Sequence, residues 1–228
     1  MSTSFQQLSE TLSIDRLSSY YRSATDPELD VLERYLWNTA LCEALYPVLQ
    51  GFEVGFRNAI HNAASQHFGT QFWFQVNTGI LRPSEQAKVT DAMNSLAARK
   101  KPVTAGRVVA ELSLGFRTAL LDRRYERILW PRLIRQAFPG VPRRLRTRGS
   151  LLPRVESARR LRNRVFHHEP VWHWRNLQQQ HLDLLELIGW ISPKLSSTLG
   201  LVDRFSTVFS NGTAPYRQLL YASLPDLH

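Results

Sequence analysis

The sequence predicts an all-α fold, and three observations carry that expectation. Apolar residues recur at steps of three and four through most of the chain. Residues that start and stop helices fall at the ends of those periodic segments. No apolar run has a partner run that would make it a strand. The 228 residues are 43% hydrophobic and 21% charged, which suits one buried core of ordinary composition. The expected organisation is one helical domain over residues 1–210, followed by a C-terminal tail over 211–228.

The elements follow in order. Asp26 as N-cap and Pro27 at the first position open a helix over 28–46. Leu29, Leu32, Leu36, Ala40 and Ala44 form its stripe. Pro47 interrupts the pattern, and a second helix runs from there to about His67, with Gly69 as its stop. Residues 70–82 read as a loop rich in aromatics, with room for a short unpaired strand. Pro83 opens a helix ending near Lys101-Pro102. Thr104 caps another that reaches the arginines at 123–124. Tyr125–Phe138 continues as helix, bent or split by Pro131, and Pro139–Pro142 makes a turn. After a basic loop at 143–149 comes a helix from about Leu152 to His168, stopped before Pro170. Two more helices follow over 177–188 and 193–209. Nothing specifies the residues beyond Asn211-Gly212.

Several classes are excluded. No apolar stretch approaches the roughly 20 residues that a membrane span needs. The first ten residues lack a basic start followed by an apolar run, so no secretory signal is expected. Cys42 is the only cysteine, so no disulfide can form within the chain, and a reducing cytoplasm is the natural setting. The formal net charge of +10 points to a polyanionic partner. Four of the 29 basic residues are lysines (Lys88, Lys100, Lys101 and Lys194), and the rest are arginines, whose planar fork matches phosphate oxygens in pairs. The excess concentrates between Arg143 and Arg164, where Glu156 is the one acid.

That basic stretch runs into Arg162-Asn163-Arg164-Val165-Phe166-His167-His168-Glu169-Pro170. On a regular helix Asn163 and His167 share the polar side, opposite Ala158, Leu161 and Val165. Arg162 falls close to the core direction, where a charge needs a carboxylate, a phosphate or an interface. His, Arg and Asn together suit phosphoester chemistry on RNA without a metal. Histidine can take a proton from a ribose 2′-hydroxyl or give one to the leaving 5′-oxygen near neutral pH. A fixed arginine stabilises the charge gained at phosphorus. The same residues also suit plain helix-end structure, with histidines favoured by the helix dipole.

A second cluster lies at Glu53, Arg57 and His61, spaced by four on one helix face, with Asn58 beside Arg57. Two readings stand for it. One is an intrahelical Glu53–Arg57 pair. In the other, the cluster packs beside the 162–168 helix and Glu53 holds Arg162. The loop arginines Arg143, Arg144, Arg146 and Arg148 are expected to contact RNA phosphates, because no acid lies nearby in sequence, and phosphate contact is also the expected role of Arg164.

Several segments, taken in order, resemble the Abi-like family of bacterial abortive-infection proteins of the AbiD/AbiF kind. They are Ser13–Tyr20, Tyr35–Asn38, Phe52–Ile60, Gly106–Phe116, Leu129-Trp130, Phe138–Gly140, Leu161–Pro170 and Ile188–Ile191. That family looks like a branch of the HEPN superfamily. The resemblance implies a HEPN-like helical bundle with extra helices, and a metal-independent endoribonuclease acting in phage defence. It maps the Arg-x4-6-His motif onto Arg162 and His167, with Asn163 as the polar neighbour. His168 also satisfies the spacing and stays open as the alternative. One motif per chain implies a homodimer, and a toxin-type protein implies an antitoxin partner. Arg164 is an extra charge within the motif, and Arg117 stands where an aromatic is expected.

Two other functions receive less support. His167, His168, Glu169 and His173 could serve as metal ligands, but Pro170 breaks the spacing, so no metal or other cofactor is expected. The apolar helix faces are core-sized, so membrane-surface binding is not expected. A non-catalytic RNA-binding protein or regulator remains the alternative to a nuclease.

Overall fold

The computed structural model describes residues 2–75 and 80–227. Among the described residues the fold is all-α: twelve α-helices, three short 3₁₀ turns and no strand. No helix among them is long and apolar enough to cross a membrane. In chain order the helices are α1 (Thr3–Leu12), α2 (Ile14–Ser18), α3 (Glu28–Phe68), α4 (Pro83–Ala98), α5 (Ala105–Glu111) and α6 (Leu114–Ala119). Then come α7 (Trp130–Ala137), α8 (Arg148–Phe166), α9 (Leu177–Ile191), α10 (Pro193–Gly200), α11 (Phe205–Asn211) and α12 (Ala214–Ser223).

Several boundaries differ from expectation, each for a local reason. The two helices expected around Pro47 are one 41-residue helix, α3, with Pro47 inside it. Leu45, Val48 and Leu49 are fully buried on either side of the proline, and that burial outweighs the single hydrogen bond it removes. Asp26 does not cap α3. Its carboxylate accepts from the Arg22 backbone N–H at 2.7 Å and pairs with Arg34. These bonds, with the Arg22 backbone contact foremost, hold its pKa below the usual carboxylate range. The long helix expected after Thr104 breaks at Ser113, whose hydroxyl caps α6 by accepting from the Phe116 N–H at 3.1 Å. The helix expected over 125–138 is a 3₁₀ turn at Arg123–Tyr125 followed by α7, with Pro131 in its first turn. The helix expected over 193–209 is split into α10 and α11. Residues 70–82 contain a 3₁₀ turn at Trp73–Gln75 where a strand was open, and residues 76–79 lie outside the described residues.

Contacts group the chain into two compact units. The first comprises residues 1–47, 161–182 and 202–228, and the second comprises 48–160 and 183–201. In the first unit Leu17, Tyr20, Leu32, Leu41, Leu161, Val171 and Phe205 form the core. The segment expected to be an unspecified tail contains α12, where Arg217 pairs with Asp30 and Glu33 of α3. Asp226 accepts from the backbone N–H of Ser4 at 2.8 Å, so the last residues clasp α1.

In the second unit Phe52, Phe56 and Phe138 pack in sequence, with ring centroids 5.5 and 6.0 Å apart. The turn after α7 lies against α9 at Gly140, whose N–H donates to Trp190 O at 2.9 Å. A Cβ at that position would sit 2.9 Å from Gly189 O and 3.1 Å from the Trp190 Cα, so only glycine fits.

Asn38, 5% exposed on α3, ties the first unit together. Its carbonyl oxygen accepts from the backbone N–H groups of Val171 at 2.8 Å and Trp172 at 3.2 Å. Its amide donates to the Tyr20 hydroxyl at 3.2 Å. Replacing Asn38 by Ala leaves two buried N–H groups without an acceptor, at about 1–3 kcal/mol each. We expect Asn38→Ala to lose about 3 kcal/mol in urea unfolding. A loss below about 1 kcal/mol would show that water substitutes for the amide.

Candidate functional site

The Arg162–Pro170 motif ends α8, and the way that helix stops separates the two histidines. His167 N–H still donates to Asn163 O at 2.9 Å, the helical bond. His168 adopts φ +59°, the left-handed region. Its N–H donates to Val165 O at 3.1 Å, and Glu169 N–H donates to Arg164 O at 2.8 Å. This pair of bonds is a Schellman cap with His168 in the position that glycine normally fills. His168 O accepts in turn from the Arg16 guanidinium of α2. His167 therefore keeps the helical register with Asn163, while His168 turns away from it.

The remaining motif side chains are partly held. The Arg162 guanidinium lies 4.4 Å from the Phe166 ring centroid, and Phe166 stacks on Tyr46 at 5.5 Å. Arg164 pairs with Glu169 and lies 5.6 Å from the Trp174 ring. That pairing gives the extra arginine a cap-stabilising contact. Asn163 is half-buried, and His167 is exposed.

Two clefts within the first unit adjoin this helix end. One, of about 800 Å³, is lined by Arg16, Arg22, Arg164, Glu169, Trp172 and His173, among others. The Arg22 guanidinium sits 5.2 Å from the Trp172 ring, which also stacks on Tyr20. Burial, then the Arg164 charge, lowers the His173 pKa. The other cleft, of about 680 Å³, is lined by Cys42, Tyr46, Phe166, His168, Val202 and Arg204 and is more apolar. Burial pushes the Cys42 thiol up to about 11, which makes it a poor nucleophile. The four residues weighed as metal ligands are thus dispersed: Glu169 and His173 line one cleft, His168 lines the other, and His167 lines neither. Among the described residues no three His, Cys, Asp or Glu side chains gather as a metal site.

The cluster on α3 belongs to the second unit, whereas Arg162 belongs to the first. Glu53 lies 3.8 Å from the guanidinium of Arg117, a residue only 4% exposed that also donates to Leu112 O. Arg117 thus fills its aromatic-expected position as a buried cation with a carboxylate beside it. Arg57 Nε donates to Asn58 Oδ1 at 3.1 Å, a partner that the intrahelical reading did not include. The His61 Nδ1 accepts from Trp73 Nε1 at 3.1 Å, and burial lowers the His61 pKa.

The basic loop is more structured than its sequence suggests. Arg143–Leu145 is a 3₁₀ turn, and α8 already starts at Arg148. Arg143 and Arg144 are exposed. Arg146 donates to Val141 O at 3.1 Å. Arg148 donates to Leu121 O at 3.2 Å and lies 3.4 Å from Glu126 Oε2. The expectation that no acid serves these arginines is corrected for Arg148: its acid comes from a distant stretch of chain.

Sequence reasoning missed Arg16, Arg22 and Trp172. The aromatic and basic run Trp172-His173-Trp174-Arg175 directly after the motif was the available signal. Comparison with family models, curated proteins and solved structures finds no match to this chain.

Two expectations follow. His168→Gly removes a side chain from a left-handed position and should raise stability by about 0.5–1 kcal/mol, whereas His168→Val should lower it by about 1–2 kcal/mol. Thermal unfolding of both variants checks this, and a destabilised glycine variant would contradict it. The second concerns acid. Burial lowers the pKa values of His61, His173 and His181, the last lying 2.9 Å from Asp203. The unfolded chain therefore takes up protons at these sites before the folded one does. Their contribution is complete above about pH 6.5 and declines as pH falls below it. Urea midpoints at pH 7.5 and 5.5 should show this loss, and His181→Gln should show a smaller one. An equal loss in that variant would remove His181 from the account.

Proposed function

We propose that this chain is a metal-independent endoribonuclease of the Abi-like, HEPN-type kind, acting in growth arrest or phage defence. The observation that carries the reading is the end of α8. An exposed His167 sits one helical turn beyond Asn163, and the guanidinium of Arg162 is held over Phe166. The family part of the reading rests on the ordered sequence segments. The chemistry is attack of a ribose 2′-oxygen on the adjacent phosphorus. The 2′-proton leaves to a base, the P–O5′ bond breaks, and the 5′-oxygen receives a proton. The products are a 2′,3′-cyclic phosphate and a 5′-hydroxyl. His167 serves as acid or base, Arg162 offsets the charge at phosphorus, and Asn163 orients the histidine or the phosphate.

One chain supplies one such motif, and the reaction needs two proton transfers. A second copy of the chain, bringing its own motif, completes the site in this reading. An antitoxin-type partner would restrain it in the cytoplasm. In this reading the exposed Arg143 and Arg144 contact RNA phosphates. The cationic cleft with Trp172 favours a second reading, a protein that binds RNA without cutting it.

Incubating purified protein with total RNA and EDTA tests the proposal. Cleavage should persist in EDTA. His167→Ala and Arg162→Ala should each reduce it by about 10²–10⁴-fold, and the double variant should lose little more. Full activity in either single variant overturns the site. Binding without cleavage in wild type selects the second reading, and full activity from a monomer in light scattering removes the dimer.

A further inference from the structure

The second unit contains a cavity of about 550 Å³ that the α8 motif does not use. Arg135, Arg143, Arg146 and Arg148 line it, against a single carboxylate, Glu126. The cavity is built rather than incidental. Val141 O and Leu121 O accept from Arg146 and Arg148 and so fix the planes of two guanidinium groups. The Arg146 Nε–H remains without a hydrogen-bond acceptor, and the Arg148 Nε–H faces only the Glu126 carboxylate, 3.4 Å away. No carboxylate among the described residues pairs with Arg135 or Arg143, which are exposed at the cavity. Arg148, also in the lining, begins α8, and Thr147 caps it by accepting from Ser150 N–H at 3.2 Å, so the positive end of a 19-residue helix adds to the field. Trp130 and Ile134 supply an apolar wall.

We infer that this cavity binds a terminal phosphate: a phosphomonoester or polyphosphate on a free nucleotide or at an RNA end. Four arginines facing one carboxylate leave an excess of three positive charges. A backbone diester carries one negative charge and would balance little of it. A terminal phosphate carries about −1.5 to −2 near neutral pH and three acceptor oxygens, which pair with guanidinium forks two at a time. The volume falls in the range of small-ligand sites. The inference deepens the RNA reading, and it rests on that reading only for RNA as the carrier.

The test uses the full chain and three probes: a 12-nucleotide RNA with a 5′-phosphate, its 5′-hydroxyl twin, and ADP. Binding is followed by fluorescence anisotropy, with calorimetry for ADP. The phosphorylated RNA should bind about tenfold more tightly than its twin. Arg135→Gln combined with Arg143→Gln should bring that ratio near one. These side chains are exposed, so the fold should survive, and circular dichroism checks it. Arg146→Lys keeps the charge but loses the fork, and should cut the ratio at least threefold. If the two RNAs bind equally but ADP binds in a way that both variants weaken, the site stands and its carrier is a free nucleotide. If ADP binds and neither RNA does, the site stands and the ribonuclease reading falls. Equal RNA binding together with no variant-sensitive ADP binding overturns the inference, even where RNA is cleaved.

Discussion

The first unit depends on one buried amide. Asn38 satisfies two main-chain N–H groups in a stretch that leaves a helix and has no secondary structure of its own. Without such a partner, Val171 and Trp172 could not be buried at acceptable cost. The side chains that follow from this anchoring include Trp172, which Asn38 fixes by its backbone and Ser19 O by its indole N–H. Trp172 in turn supports Tyr20 and the guanidinium groups of Arg22 and Arg34. The end of α8 is thus pinned from two sides: downstream by Asn38, and at His168 O by Arg16.

The arginines fall into two populations that composition cannot distinguish. Arg34 and Arg117 have their guanidinium groups spent on backbone carbonyls and carboxylates of this chain. They replace apolar packing at those positions and add nothing to an external electrostatic footprint. Arg143 and Arg144 lie outside and remain available. A net charge of +10 therefore marks a basic protein, but only three-dimensional placement shows which cations face a partner.

The fold class was legible because helical periodicity survives in isolated segments. Boundaries were less so. Ser113 sits within an apolar run, and its capping role depends on which hydroxyl finds which N–H. Pro47 reads as a stop because its cost is local, whereas the burial that overrides it is tertiary. In the candidate site, the shared face of Asn163 and His167 follows from helix geometry alone. The left-handed His168 does not, since nothing in its identity announces a glycine position. Arg117 shows the same limit: a charged residue in an apolar context names its need for a partner but not that the partner is Glu53, on another helix.

The first unit is assembled from three separated stretches of chain, and its tie points span 133 residues at Asn38–Val171 and 222 at Ser4–Asp226. Most of the second unit lies between the first two of these stretches. A ribosome adding about 5–20 residues per second needs on the order of ten seconds to go from the end of residue 47 to residue 161. During that interval Leu29, Leu32, Leu41 and Leu45, buried in the finished unit, have been made before its other two stretches. Long-range closure of this kind is also slow once the chain is complete. Residues 183–201 of the second unit and 202–228 of the first are both made late, so neither unit closes until most of this chain has been made. The apolar faces of the N-terminal helices are therefore the part of the nascent chain that waits longest for burial.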